Sequence, residues 1–123
     1  MSIERAQPRR GEIWRVDFDP TIGSEIRKTR PAVVVSSDAA GRLPVKLVAP
    51  ITGWNPAFAN TLWHVDILPN STNGLTKESA VDVLQMRGVD IQRFSVRIGE
   101  VLPEESVDIT RAIVALIEFE PEA

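Results

Sequence analysis

From Glu12 to Val101 the apolar residues of this chain follow the period of strands, and only beyond Leu102 do they follow the period of a helix. Trp14, Val16 and Phe18 alternate with Arg15 and Asp17, which buries one face of a strand over 12–18. The run Ala32-Val33-Val34-Val35 has no polar member, so it needs cover on both faces and belongs in the middle of a sheet. Further strands are expected over 45–52, 62–68, 79–85 and 96–101, with a single helical turn at 89–94. In the fourth of these strands Trp63, Val65 and Ile67 share one face, and His64 and Asp66 lie on the open one. Pro103 suits a first helical position, with Glu104 and Glu105 at the positive end of the dipole. An apolar stripe of Ile109, Ile113, Leu116 and Ile117, flanked by Val107 and Val114, completes a helix that runs out near Phe119. The pattern predicts a mainly β fold, a small curled sheet or barrel closed by one C-terminal amphipathic helix.

The loop between the first two strands holds most of the candidate chemistry. Residues 23–31 read Gly-Ser-Glu-Ile-Arg-Lys-Thr-Arg-Pro, with hydroxyls, one carboxylate and three cations between a Gly and a Pro. Strands at both ends let such a loop present polar groups without loss of core. Arg30 precedes Pro31, so its backbone is held extended, and its planar fork suits a phosphate. The alternative is a solvated basic turn.

Charge is distributed unevenly. Residues 1–30 carry a balance of +2, residues 31–89 are neutral, and residues 90–123 carry −5, within a net charge of −3. This favours a local anion site over a long duplex-binding face. There is no Cys and only one His, which removes thiol catalysis, disulfides and a two-imidazole acid–base pair within one chain. Neither a phosphate-cradling glycine signature nor a nucleophile elbow occurs, and no ligand spacing points to a metal, so no cofactor is expected. No apolar run is long enough to span a membrane, and no apolar segment follows the N-terminal arginines. A cytoplasmic protein with an N-terminal arm over 1–8 and one domain over 9–120 is expected. An enzyme with this inventory works through Arg, carboxylate, hydroxyl and backbone groups, which suits charge stabilisation at a phosphoryl or acyl centre. Trp54 and Phe58, in a second loop, can stack single-stranded bases or serve as core or interface residues.

Several stretches resemble the MazF/PemK-type toxins, the endoribonuclease half of bacterial toxin–antitoxin pairs. They are Arg10-Gly11-Glu12-Ile13-Trp14, Val16-Asp17-Phe18-Asp19-Pro20, Gly23-Ser24-Glu25 and Arg30-Pro31-Ala32-Val33-Val34. Val48-Ala49-Pro50-Ile51-Thr52 and Leu84-Gln85-Met86-Arg87-Gly88-Val89-Asp90 continue the match, while residues 53–80 match poorly. The resemblance runs from residue 9 to about residue 119 and implies an SH3-like barrel of five to seven strands that forms a homodimer. It also implies metal-independent cleavage of single-stranded RNA, in which a 2′-hydroxyl attacks the adjacent phosphate to leave a 2′,3′-cyclic phosphate and a 5′-hydroxyl.

The family's catalytic Arg and Thr fall on Arg30 and Thr52. Glu25 is either the base for the 2′-hydroxyl or a surface partner of Arg27 or Lys28. Ser24, Arg27, Lys28, Gln85, Arg87 and Trp54 are the RNA-binding candidates that follow, and Trp14 would face the acidic, partly apolar tail of a cognate antitoxin. His64 matches no family site and reads as a sheet-surface residue. Two other readings are a non-catalytic gyrase-binding toxin of the same architecture and a plain SH3-like binding module. The first lacks the Arg-Pro and Thr pairing and ends its helix on Trp-Gly-Ile, where this chain has Ile117-Glu118-Phe119-Glu120. The second has no need of so much charge in one loop.

Overall fold

The computed structural model describes residues 7–40 and 43–121. Its strands are β1 (Glu12–Asp17), β2 (Thr29–Val34), β3 (Val45–Gly53), β4 (His64–Ile67), β5 (Ser79–Asp82), β6 (Arg87–Asp90) and β7 (Phe94–Glu100), followed by the helix α1 (Pro103–Leu116). All pairings are antiparallel, in the order β4-β5-β3-β2-β1-β7. The long β3 serves two partners along one edge. Val45–Val48 pairs with β6, and Ile51–Gly53 pairs with β5. This lets β3 pass from one part of the curled sheet to the other. The sheet does not close on itself by hydrogen bonds, since β4 and β7 remain its two ends.

Alternation along the strands builds two cores, one on each face. Ile13, Val33, Ala49, Ile51, Ile67 and Val81 form the first, under Ile109 of α1. Trp14, Val16, Phe18, Ala32, Val34, Val48, Val89 and Phe94 form the second. Consecutive residues Ala32, Val33 and Val34 thus face opposite cores, which explains why β2 is apolar throughout and central.

Several boundaries differ from the sequence expectation. β2 begins at Thr29, so Arg30 and Pro31 belong to a strand rather than to the loop. The expected helical turn at 89–94 is β6 followed by a 3-10 turn at Ile91–Arg93. Four residues with no clean alternation become a strand because the exposed start of β3 supplies their hydrogen-bond partners. β5 stops at Asp82, whose carboxylate accepts the Gln85 N–H and turns the chain. On α1 the buried stripe is Ile109, Ala112, Ile113 and Leu116, whereas Ile117 lies past the last helical turn and is exposed, as is Val107. Of the expected arm, residues 1–6 lie outside the described residues. Pro8 is fully buried, and the Arg10 guanidinium donates to Thr110 Oγ1 of the helix.

The connection from β4 to β5 is built around Asn73, which is fully buried. Its amide donates to the Leu68 carbonyl and accepts from the N–H groups of Asn70 and Leu75. Beside it the backbone of β7 comes close enough that only glycine fits at Gly99 and at Gly74, the latter with φ +67°. This seating delivers residues 75–78 to the end of β3.

Candidate active site

Arg30 enters β2 opposite Val16, with its backbone fixed by Pro31. Its Nε donates to the Arg27 carbonyl at 2.9 Å, which fixes the plane of the guanidinium and leaves both terminal amino groups without a hydrogen-bond partner among the described residues. Thr52, near the end of β3, lines the same pocket, and its side chain has no hydrogen bond among the described residues. Between them lies a pocket of about 340 Å³ whose rim includes Lys28, Gly53, Lys77 and Ser79. Three cations and no carboxylate line it, and among the described residues no carboxylate is within ion-pairing range of Lys28, Arg30 or Lys77. Uncompensated cations converging with a hydroxyl on a concave surface form an anion site.

Local geometry supplies the rest of the rim. Lys28 is held at φ +70°, a left-handed conformation that costs a side-chain-bearing residue about 1–2 kcal/mol. The hydrogen bond from Phe18 N–H to its carbonyl, 3.0 Å, helps hold it there. Gly53 leaves room for the Lys77 ammonium, since a Cβ at that position would stand 3.2 Å from Nζ. Ser79 Oγ donates to the Lys77 carbonyl and fixes its backbone. Lys77 is absent from the sequence-based candidates. The pairing of Gly53 with Ser79 is what brings it to the pocket, and residue types alone carry no signal of that pairing.

The other candidates of the loop stand apart from this pocket. Glu25 does not line it; one carboxylate oxygen accepts the Ile22 N–H at 2.6 Å, closing the loop's own turn rather than pairing with Arg27 or Lys28. Gln85 clasps the loop with both ends of its amide. Its Oε1 accepts from Ile26 N–H at 3.2 Å, and its Nε2 donates to the Ser24 carbonyl at 3.1 Å. Arg87 donates to the Phe18 carbonyl at 3.0 Å and lies 5.9 Å over the Phe18 ring. The side chains of Ser24 and Arg27 are exposed. Gln85 and Arg87 therefore shape the loop, whatever else they touch.

The second loop is organised by aromatic contacts. The Trp54 N–H donates to the Glu78 carbonyl, and its ring meets Phe58 edge-on at 5.8 Å. Phe58 stacks on His64, with centroids 3.7 Å apart and planes 8° from parallel. His64 is therefore not on an open sheet face: its side chain is 8% exposed, enclosed by Phe58, Trp63 and Asp82. Burial pushes the Asp82 carboxyl above its ordinary range, partly offset by His64 and by the backbone N–H groups of Gln85 and Leu84.

In a separate groove of about 520 Å³, also lined by Phe94, Val96 and Arg97, Trp14 is 9% exposed. Its Nε1 donates to Glu12, whose carboxylate also takes the Arg9 N–H and pairs with Arg97 at 3.0 Å. Burial alone would raise the Glu12 pKa, but these partners outweigh it and hold the group below its ordinary value.

The chain is similar to known proteins over most of its length. The family model of PemK-like, MazF-like toxins of type II toxin–antitoxin systems matches residues 9–117. Endoribonuclease MazF9 of Mycobacterium tuberculosis is 35% identical over 111 residues, covering 85% of this chain and 92% of the relative. The crystal structure of MazF from Deinococcus radiodurans superposes with a TM-score of 0.78 at 21% identity, covering 94% of this chain and all of the other. An endoribonuclease from a mycobacterial species, solved in complex with its cognate antitoxin, gives 0.73 at 18% identity, with the same coverage of both chains. A basic, carboxylate-free pocket built by Arg30 and Thr52 on this fold, together with a family match across most of its length, places the chain among the PemK-like, MazF-like toxins of type II toxin–antitoxin systems.

Proposed function

We propose that this protein is an endoribonuclease that cuts single-stranded RNA at a short sequence without a metal ion, and that a cognate antitoxin holds it inactive. The observation that carries the reading is the meeting of Arg30 and Thr52 in one pocket with two lysines and no carboxylate. The free amino groups of Arg30 bind the non-bridging oxygens of the scissile phosphate and stabilise the charge that builds on them as the 2′-oxygen attacks. Thr52 donates its hydroxyl hydrogen to the same phosphate. A P–O bond forms to the 2′-oxygen as the bond to the 5′-oxygen breaks, leaving a 2′,3′-cyclic phosphate and a 5′-hydroxyl.

The 2′-hydroxyl proton goes to a base, and Glu25 is the loop's only carboxylate. To act as that base it has to leave the Ile22 N–H. Arg30 is unsuited to protonating the leaving oxygen, because guanidinium does not release a proton at working pH. Water supplies that proton.

Trp54, beside Gly53, offers a base-stacking face, and Arg27 and Ser24 lie exposed for further contacts with the strand. The groove over Trp14, with Phe94 apolar and Arg97 cationic, suits an acidic and partly apolar antitoxin tail. Homodimerisation and a cytoplasmic location complete the proposal. Neither a gyrase-binding toxin nor a binding module accounts for the Arg30–Thr52 pairing. A short oligomer with a single ribonucleotide at the cut site tests the chemistry. A cyclic-phosphate product in EDTA supports it, and a product formed only with added divalent metal overturns it.

A further inference from the structure

His64 has no part in the chemistry above, yet it contacts the loop on one side of the pocket and is linked to the loop on the other. Its ring supports Phe58, which supports Trp54. Thr61 Oγ1 donates to the Phe58 carbonyl at 3.1 Å and shares a hydrogen bond of 2.8 Å with His64 Nδ1. The opposite nitrogen, Nε2, faces Asp82 Oδ2 at 3.5 Å. Asp82 in turn accepts the Gln85 N–H, and Gln85 clasps the 22–28 loop. The ring thus has a polar neighbour at each nitrogen and a stacked aromatic on one face.

We propose that His64 is a positioning residue for RNA recognition: by fixing Phe58 and Thr61 it holds Trp54, which follows Gly53 of the phosphate pocket, and so determines which nucleotide is accepted beside the scissile bond. The inference rests on the ribonuclease reading. It goes beyond it in assigning sequence selection to a buried His that meets no RNA. Loss of the ring frees Phe58 and, through it, Trp54. The phosphate pocket, built from β2, β3 and the segment before β5, is left in place.

The test uses full-length wild type, His64→Ala, His64→Phe and Trp54→Ala, each shown to be folded by circular dichroism. The cut motif is read from a long RNA, and kcat and KM from a short oligomer bearing that motif. His64→Ala is expected to raise KM about tenfold, in the range of one lost base–aromatic stack, with kcat within about threefold and a relaxed base preference. Trp54→Ala should match it, and the double variant should be no worse than Trp54→Ala alone, because the two act on one contact. His64→Phe, which keeps the stack, should recover most of the KM.

If His64→Ala does not fold, His64→Gln, which keeps a polar group toward Asp82 but no ring, is read by the same criteria. A folded variant without the ring that retains wild-type KM and motif overturns the inference, as does a loss confined to kcat. KM effects that multiply in the double variant overturn it too. Wild-type protein that cuts no RNA removes the ribonuclease reading and this inference together, so the two failures are distinguishable.

Discussion

Replacing Gln85 by Met removes both hydrogen bonds that clasp the 22–28 loop while leaving a side chain of similar length. Each bond contributes about 0.5–1.5 kcal/mol net, so the pair holds the loop by about 2 kcal/mol against conformations that leave the pocket rim. Lys28, strained at φ +70°, is the residue with most to gain from release. If catalysis needs the clasped loop, 2 kcal/mol corresponds to about a 30-fold smaller competent fraction wherever the freed loop is mostly open. kcat/KM for a short RNA should fall by about 10- to 30-fold. Hydrogen exchange of the amides of 22–28 should accelerate by a similar factor, with little change in the exchange of β1 and β3. Wild-type kcat/KM with accelerated exchange would refute the link between loop order and activity. Altered base preference with unchanged exchange would refute the clasp itself and make Gln85 a reader of RNA.

Further expectations follow from single positions. Gly99→Ala places a methyl 2.3 Å from the Thr72 carbonyl oxygen, a backbone atom that cannot swing away, and should cost about 3 kcal/mol in urea unfolding. Gly53→Ala meets only the mobile end of Lys77 and should cost less than about 1 kcal/mol in the same experiment. Lys28→Gly relieves a left-handed residue at some cost in chain entropy, so thermal unfolding should rise by roughly 2 °C while RNA binding weakens and its salt dependence becomes shallower. Glu12, held below its ordinary 4.5, contributes stability that is full above that value and lost as pH falls through the depressed one. Glu12→Gln should therefore be about 1–2 kcal/mol less stable at pH 7, and the gap should close on acidification below about pH 4.5.

Elements with a clean period were legible in the sequence. β1, β2 and α1 carry their own burial pattern, and the adjacent Arg30 and Pro31 announce an oriented cation, although the alternation places it in the loop rather than in β2. What was not legible depends on pairing. β6 exists because β3 extends past β5 along one edge, and nothing within Arg87–Asp90 declares that. Lys77 reaches the pocket only because Gly53 pairs with Ser79. Strict alternation assigns His64 to an open face. In the fold that face is covered by the 3-10 turn Pro56–Asn60, which folds Phe58 back over it. Likewise Gln85 and Arg87 are candidate contacts by residue type, and only the fold reveals that Gln85 also bonds the backbone of Ser24 and Ile26 and that one Arg87 donor holds the Phe18 carbonyl. Periodicity finds the strands; the register between them decides which side chains share a site.

The central claim is that Arg30 stabilises a phosphate undergoing attack without help from a metal. The most direct measurement is cleavage of a long, unstructured RNA in EDTA by wild type and by Arg30→Ala. Removal of one such donor lowers rates by about 10²–10³. The account predicts discrete fragments with cyclic-phosphate ends from the wild type, and at least a hundredfold slower cutting by a folded Arg30→Ala protein. Equal cutting by both proteins, or intact RNA from folded, antitoxin-free wild type, would contradict it.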